Sequence, residues 1–470
     1  MKLHNTMTEQ VEELKPLEDG KVKFYSCGLT VYSQPHIGNW LGYIYWDVLQ
    51  RTLIADGIDV IRTQNITDVG HLTSDDDNGE DKMEKGARKE GITAWDVAKK
   101  YSEIAEHEGY ELLDLLRPTH LVPATSLITE QIEFAKQLDE KGYLYEIPGE
   151  GMYFDTSKLS DYGKLAKLDV TGLEGGIRVA VDGKKYITDF AVWKFSPKNE
   201  KRDMEWDSPW GVGFPGWHLE CSVIARETLG DQIDIHSGGI DHIPVHHTNE
   251  IAQTESLTDK TFSTFWIHNN HIKIDGKKIS KSLGNIVTLQ DILDRGISMD
   301  AFKLMVLSKH YRTEGNFTWE ILGAAANRLN NWRNIAALRH QANESVETDK
   351  ERPSLAVIGA VKEALRNDLN TSEALKTIDQ AFSDIESHST QTVDKQLLID
   401  VMQAIDSLLG LHLLETTPDI PDEAKSLILE RTRAREAKDW QKSDELRDEL
   451  EVNYHIVLLD KPSGVVWQYT

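Results

Sequence analysis

Cys27-Gly-Leu-Thr-Val-Tyr-Ser-Gln-Pro-His-Ile-Gly-Asn39 is the stretch on which the reading of this 470-residue chain turns. Before it, residues 22–27 (Val-Lys-Phe-Tyr-Ser-Cys) alternate as a strand does. After Pro35, Leu41, Ile44, Tyr45, Val48, Leu49 and Leu53 recur at helical spacing until Gly57 ends the helix, and residues 58–65 read as the next strand. This is a βαβ unit, and the quoted stretch is its first strand-to-helix junction. In such sheets ligands bind at the carboxyl ends of the strands. The chain has no G-x-G-x-x-G, so the usual dinucleotide fingerprint is missing. What the junction offers instead is a thiol at Cys27 and a helix opening at His36-Ile-Gly38. Free N–H groups and the helix dipole favour phosphate there. Gly38 leaves room for a base or ribose, and His36 can donate to a phosphate oxygen as charge builds. An ordinary helix start has the same look, so the signal needs a partner.

Outward from the junction, residues 74–86 are strongly charged and read as a solvated loop or helix start. A helical pattern follows to about Leu116. Residues 120–210 look like an inserted module, with a helix near 126–141 and strands at 143–154 and 185–195. The sheet pattern resumes at Pro215: helix 217–229, strand 232–236, helix 246–257, strand 265–271. A basic loop occupies 273–284. From about 292 to Leu414 the pattern is almost all helix, residues 416–421 (Thr-Thr-Pro-Asp-Ile-Pro) form a linker, and a helical pair with a short strand at 455–459 closes the chain.

Composition narrows the class. Mean hydropathy is -0.45, and no apolar run approaches the roughly 20 residues that span a bilayer. The first residues lack the apolar core of a signal peptide. A soluble, cytoplasmic protein without a membrane partner is expected. Two cysteines exclude a disulfide framework as a general strategy. The net charge of -26 argues against nucleic-acid binding unless basic residues gather locally.

Two further constellations carry chemistry. His246 and Glu250 are spaced i, i+4, which a helix places on one face; with Cys27 and Cys221 they make a reasonable zinc set of two thiolates, an imidazole and a carboxylate. A single His/Glu pair on a helix is more often surface decoration, and nothing local brings the two cysteines to it. His236, His242, His246, His247, His268 and His271 crowd the same region. No complete H-E-x-x-H or H-x-x-E-H is present, so a hydrolytic zinc motif is a weak rival. The partner to His36 is Lys278-Ile-Ser-Lys-Ser282, two lysines among small residues that suit a loop closing over a triphosphate. In order and across a split α/β sheet, the two signals are specific together.

With these motifs in hand the chain resembles a class I aminoacyl-tRNA synthetase, specifically the cysteinyl-tRNA synthetases, from end to end. The resemblance rests on Cys27-Gly-Leu-Thr-Val-Tyr with Pro-His-Ile-Gly, Asn65-Ile-Thr-Asp68, Trp206-Asp-Ser-Pro-Trp-Gly, Pro215-Gly-Trp-His-Leu-Glu-Cys221, Asp234-Ile-His-Ser-Gly-Gly, His246-His-Thr-Asn-Glu-Ile-Ala-Gln253 and Lys278-Ile-Ser-Lys-Ser282. It implies one zinc per chain on Cys27, Cys221, His246 and Glu250, ligating the substrate thiolate, and an amino-acid pocket of Gly28, Thr67, Trp217 and His236. It implies ATP with Mg2+ at His36, Gly38, Asn39, Lys278, Ser280 and Lys281. His36, Lys278 and Lys281 would act on the phosphates, Lys281 foremost. The reaction implied is formation of cysteinyl-adenylate from L-cysteine and ATP, then transfer to tRNA(Cys). Serine is nearly isosteric with cysteine, and an apolar pocket separates such analogues poorly; a soft metal prefers the thiolate. The sequence departs from the family's common pattern at Asn39, where a second histidine is frequent, at Ile279 for Met, and at Thr248 for Glu.

The implied fold class is α/β: a Rossmann-like parallel-sheet catalytic domain with an inserted module, then an α-helical bundle and a small C-terminal α+β tail. The divisions expected are 1–119 and 211–262 for the two catalytic halves, 120–210 for the inserted module, 263–310 for a stem-contact region with the Lys278–Ser282 loop, 311–415 for the bundle on the tRNA side, and 416–470 for an anticodon-binding tail. A monomer is expected. Arg431, Arg435, Lys438 and Lys442 would form one basic stripe if their segment stays helical, and Trp440 or Trp467 could stack on an unpaired base; a solvated charged helix and core tryptophans are the plainer readings. Two alternatives differ in class: a related cysteine ligase with a small-molecule amine acceptor, whose members lack the full C-terminal bundle and tail, and a non-catalytic RNA-binding descendant, against which the retained His36, Lys278, Lys281 and four metal-type residues argue.

Overall fold

The computed structural model describes residues 1–70, 72, 81–168, 183–197, 202–341, 353–387, 394–461 and 464–470. The chain forms two compact units. The first comprises Met1–Asp291 and Tyr311–Asn316, the second Ile292–His310 and Phe317–Thr470. The chain passes between them at Asp291/Ile292, His310/Tyr311 and Asn316/Phe317.

The first unit opens with a hairpin that the sequence pattern does not announce, β1 (Lys2–Asn5) with β2 (Gln10–Glu13). Then comes the βαβ unit: β3 (Lys21–Ser26), α1 (Ile37–Ala55) and β4 (Asp59–Ile66). Helix α1 is buried nearly all round, from Ile37 to Leu53, as expected of a helix apolar on every side. Helices α2 (Lys82–Glu90) and α3 (Ala94–His107) follow, then β5 (His120–Pro123). Of the acidic run 74–86, residues 74–80 lie outside the described residues; Asp81 caps α2, its side chain accepting from the Met83 and Glu84 N–H groups.

The inserted module holds α4 (Ile128–Glu140) and a four-stranded antiparallel sheet of β6 (Leu144–Ile147), β7 (Gly151–Phe154), β8 (Phe190–Phe195) and β9 (Gly213–Pro215). Its last strand runs directly into α5 (Trp217–Leu229) through Gly216. A Cβ at Gly216 would stand 2.1 Å from the Ala191 carbonyl oxygen, so only glycine lets the module's sheet deliver that helix. Next come β10 (Ile233–Gly239), a π-helical turn at Ile243–His247, α6 (Thr248–Thr258) and β11 (Ser263–Asn269).

Strands β11, β10, β3, β4 and β5, in that order, make a parallel five-stranded sheet. The first half of the chain extends it on one side of β3 and the second half on the other. The switch point is therefore the β3/β10 pair, where His236 lies opposite Tyr25 and Ser237 opposite Ser26. The 273–284 segment is not all loop: β12 (Ile272–Ile274) and β13 (Lys277–Lys278) form a hairpin, with Lys273 opposite Lys278. The Asp275–Gly276 pair has positive φ at both residues, the local geometry of a two-residue hairpin turn.

After α7 (Leu289–Leu293), the second unit is helical as the periodicity predicts: α8 (Met299–Leu307), then the short β14 (Gly315–Phe317) at the unit border, α9 (Trp319–Ala336), α10 (Pro353–Arg366), α11 (Thr371–Ser387) and α12 (Lys395–Leu409). Buried Arg339 ties this bundle to the linker, donating to the Thr417 hydroxyl and carbonyl and to the Leu414 carbonyl. The tail consists of α13 (Asp422–Glu436), α14 (Trp440–Tyr454) and a hairpin of β15 (Ile456–Lys461) and β16 (Gly464–Tyr469), one strand more than the sequence pattern shows.

Candidate active site

Cys27 sits one residue beyond β3, its N–H donating to the Ser237 carbonyl on β10. Helix α5 brings Cys221, and the π-helical turn with α6 brings His246 and Glu250. Donor atoms of these four buried residues lie within 4.8 Å of one another. The i, i+4 expectation holds in distance: His246 Nε2 is 3.1 Å from Glu250 Oε1. That oxygen is buried and accepts no hydrogen bond in good geometry. Burial pushes the Cys27 thiol and the Glu250 carboxyl well above their ordinary values. Such a group of acids keeps its protons in a low-dielectric interior unless a cation offsets their charge. Thiols, an imidazole and a carboxylate with a bare buried oxygen fit a thiophilic divalent ion.

A second set of four overlaps the first: Cys27, His236, His247 and Glu250 meet the same distance test. His236, expected in the amino-acid pocket, is thus also beside the metal-type residues. Its side chain is fully buried, and Nε2 lies at hydrogen-bond distance, 2.8 Å, from Glu250 Oε2. Burial holds the His236 imidazole at about 3, hence neutral. His247 Nε2 lies 3.2 Å from Cys27 Sγ, its Nδ1 lies 2.8 Å from His268 Nε2, and His268 Nδ1 lies 2.7 Å from the Thr6 hydroxyl. Burial is the main reason that His247 and His268 stay neutral as well. His246 is stacked under Trp217, ring centres 4.2 Å apart, and its Nδ1 faces His218 Nδ1 at 3.0 Å. The crowding of histidines at 236–271 is visible in sequence; that most of them orient other groups is not. His271 is exposed and stands outside the network.

Gly28 and Thr67 are held by one residue that the sequence shows only as part of a motif. Asn65 Oδ1 accepts from the Gly28 N–H at 2.7 Å, and its Nδ2 donates to the Thr67 hydroxyl at 3.0 Å. A Cβ on Gly28 would stand 1.6 Å from the Asn65 carbonyl oxygen. The glycine is thus required by close backbone approach.

The phosphate-type residues also converge. His36, Asn39, Ser280 and Lys281 line one cavity of about 240 Å³ together with Tyr32 and Tyr101. A Cβ at Gly38 would lie 2.8 Å from Ile279 Cδ1, so the Lys278–Ser282 segment packs directly against the helix start. The Ile37 N–H donates to the Val287 carbonyl, and Asn285 pins the segment from within, Oδ1 accepting from the Ser280 N–H and Nδ2 donating to the Lys278 carbonyl. Buried His36 Nδ1 has no hydrogen-bond partner. Burial, with Lys281 adding to it, holds the His36 imidazole below its ordinary value, so it is a neutral group at pH 7. Asn39 has a structural role, because its Oδ1 accepts from the His36 N–H at 2.9 Å, the reciprocal half of a capping box. Lys278 is exposed on β13.

The expected basic stripe does not form. Helix α13 ends at Glu436, Lys438 takes a positive φ, and α14 begins at Trp440, so the i, i+4, i+7, i+11 register is broken. Arg431 is buried and bidentate to Asp460, and Arg435 pairs with the same carboxylate. Trp467 is core, packed with Leu450, Ile456 and Ile420. Trp440, Lys438 and Lys442 are exposed around the helix break.

Comparison with known proteins follows the same outline. The family model described as "tRNA synthetases class I (C) catalytic domain" matches residues 13–327, and the one described as "Cysteinyl-tRNA ligase anticodon binding domain" matches residues 417–466. A protein of Burkholderia lata named Cysteine--tRNA ligase 1 is 43% identical over 459 residues, covering 95% of this chain and 93% of its own. The Cysteine--tRNA ligase of Novosphingobium aromaticivorans is 40% identical, covering 100% and 97%. Among solved structures, Mycobacterium tuberculosis methionyl-tRNA synthetase in complex with methionyl-adenylate superposes with a TM-score of 0.61 at 14% identity, over 84% of this chain and 91% of that one. A LeuRS–tRNA–LeuAMS ternary complex from Agrobacterium radiobacter gives 0.59 at 12%, over 87% and 88%. These two likenesses concern the fold alone.

Proposed function

The chain belongs to the cysteine--tRNA ligases of the class I synthetase family, and from that premise we propose how its own residues divide the reaction. It attaches cysteine to tRNA at the expense of ATP. Cys27, Cys221, His246 and Glu250 would hold one zinc ion, which supplies when bound a soft Lewis acid that prefers a thiolate to the hydroxyl of serine. The convergence of four buried donor groups, with burial raising Cys27 and Glu250 above their ordinary values, supports that assignment. Trp217 keeps the His246 ring in plane by stacking, and His236 orients the Glu250 carboxylate, as outer partners of metal ligands do.

The rest of the step lies along the sheet edge. Gly28 and Thr67, fixed by Asn65, border the amino-acid side. There the cysteine carboxylate attacks the α-phosphate of ATP, giving the cysteinyl-adenylate and releasing pyrophosphate. His36, neutral and with a bare buried nitrogen, donates to a phosphate oxygen, while Lys281 and the more exposed Lys278 offset the charge gained in the transition state. Mg2+ accompanies the nucleotide. Gly38 lies against Ile279 of the Lys278–Ser282 loop, and Asn39 fixes the helix start by accepting from the His36 N–H. The terminal ribose hydroxyl of tRNA then takes the acyl group. Trp440, Lys438 and Lys442, exposed in the part matched to an anticodon-binding domain, are the groups offered to the anticodon. Such an activity belongs to the cytoplasm.

The observation that carries this reading is the convergence of both cysteines with His246 and Glu250 at the switch point of the sheet. It is tested by pyrophosphate exchange with cysteine and with serine, with and without chelator, followed by tRNA charging. Exchange with cysteine alone, lost on chelation and restored by zinc, is expected. Metal-replete protein without exchange refutes the reading; exchange without tRNA acylation points instead to a small-molecule acceptor.

A further inference from the structure

Arg62 stands in the middle of β4, opposite Phe24 on β3, and is only 2% exposed. Alternation along a strand puts Arg62, Gln64 and Ile66 on one face, and all three line a cavity of about 30 Å³ together with Tyr110. A guanidinium keeps its proton at any physiological pH, so a charge is buried here. Its Nη2 donates to the Leu116 carbonyl at 2.6 Å, while Nε is buried without a hydrogen-bond partner. Arg62 forms no ion pair among the described residues. Asp47, whose field reaches it, is already 2.6 Å from Arg51 Nε, and Glu106, on the cavity wall, is 3.0 Å from Arg117 Nη1. Buried Glu108 accepts from the indole of Trp40, also on the wall, and burial raises its carboxyl above the ordinary range, which favours the neutral form. Arg62 is thus a buried cation without a counter-charge of its own, an arrangement that costs more than one carbonyl recovers.

We propose that Arg62 seats a halide-sized monovalent anion, chloride being the abundant one, in this cavity against Gln64 and Tyr110. A water there could accept from Nε but would leave the charge unmet; a small anion does both through charge-assisted bonds. The space takes an occupant the size of one or two waters, which admits a halide and is too small for phosphate or sulfate. Half-buried Ser102, Glu106 and Tyr110 form its rim, the side from which an ion can enter. The site borders the amino-acid side: Leu29 and Ile66, which line it, adjoin Gly28 and Thr67 in the chain, and Tyr43 on its wall donates to the Cys27 carbonyl. The inference goes beyond the reaction above and does not depend on it.

The test uses the full-length, metal-replete protein. Crystals soaked in bromide are expected to show an anomalous scattering peak at hydrogen-bond distance from the Arg62 guanidinium. In solution, chloride is raised a hundred-fold at constant ionic strength, replacing gluconate, which is too large for the cavity. The thermal midpoint of the wild type should rise by about 3 °C or more. Arg62→Met, which removes the charge and keeps the length, should give a midpoint that no longer follows chloride. Only water beside Arg62 in the bromide-soaked crystal, or equal wild-type midpoints in chloride and gluconate, overturns the proposal, and neither measurement requires the variant to fold. A chloride shift kept at full size in Arg62→Met also overturns it, because the ion then sits elsewhere.

Discussion

Substituting Gly28 by alanine tests the geometry that joins the metal end of the site to the amino-acid end. The new Cβ would stand 1.6 Å from the Asn65 carbonyl oxygen and 2.6 Å from its carbon, where real Cβ atoms keep at least about 3.0 Å. Both contacts are backbone, in strand β4, so no side chain can swing aside. Residue 28 and β4 must part by roughly 1.4 Å, and Cys27, the preceding residue, moves with them. Overpacking of this kind costs about 1–3 kcal/mol. The larger effect falls on the reaction, since a 1 Å misplacement of a reacting group costs on the order of 100-fold. The bond from the Gly28 N–H to Asn65, 2.7 Å long, is lost at the same time. Bound zinc measured by mass spectrometry and the rate of cysteine-dependent pyrophosphate exchange report the two consequences separately. We expect weakened metal retention and exchange reduced about 100-fold, with the second unit unaffected. Wild-type metal content and an exchange rate within about two-fold of wild type would show that β4 yields freely there, and would refute the requirement for close approach.

The two overlapping donor sets make opposite demands: Cys221→Ser should abolish stoichiometric zinc, whereas His247→Ala should keep it and lower only the exchange rate; the reverse result selects the set of Cys27, His236, His247 and Glu250. Asn39→Ala removes the acceptor for the His36 N–H, a capping loss of about 1 kcal/mol, and should raise the KM for ATP several-fold while leaving that for cysteine alone. Arg431→Ala breaks a bidentate pair whose arginine is buried but whose aspartate is 36% exposed, so a cost of about 1–3 kcal/mol is expected in thermal unfolding of the tail. The sign with pH follows from Asp460, which Arg431 holds below the ordinary carboxylate range: the pair stabilises the fold at neutral pH, and this contribution fades as pH falls from about 4 through the depressed folded value. The wild-type minus Arg431→Ala difference should therefore shrink below about pH 4.

Much of the α/β core is legible without a structure, because strand and helix periods are local properties. The succession of β3, α1 and β4, and the whole of α5, stand within a residue or two of the spacing-based reading. The misses have local causes too. The hairpins at the N-terminus and at 272–278 use strands of two to four residues, too short to show a period. The basic stripe fails for another reason: a charge pattern lists residue types, while a positive φ at Lys438 decides whether they share a face.

The order of residues along the chain supplies the chemical groups: a thiol before a turn, a helix start for phosphate, two lysines among small residues, and a His/Glu pair spaced i, i+4. Which of them meet is settled by folding. Cys27 and His247 are 220 positions apart and touch at 3.2 Å because β3 and β10 pair at the switch point of one sheet. The same folding buries Arg431 against a carboxylate on β15 and withdraws it from any nucleic acid. It also brings Lys82 of α2 and Lys281, almost 200 positions apart, to the same Tyr32 ring. Periodicity depends on neighbours along the chain and can be read from it; burial, convergence and local potential depend on neighbours in space, which the fold alone supplies.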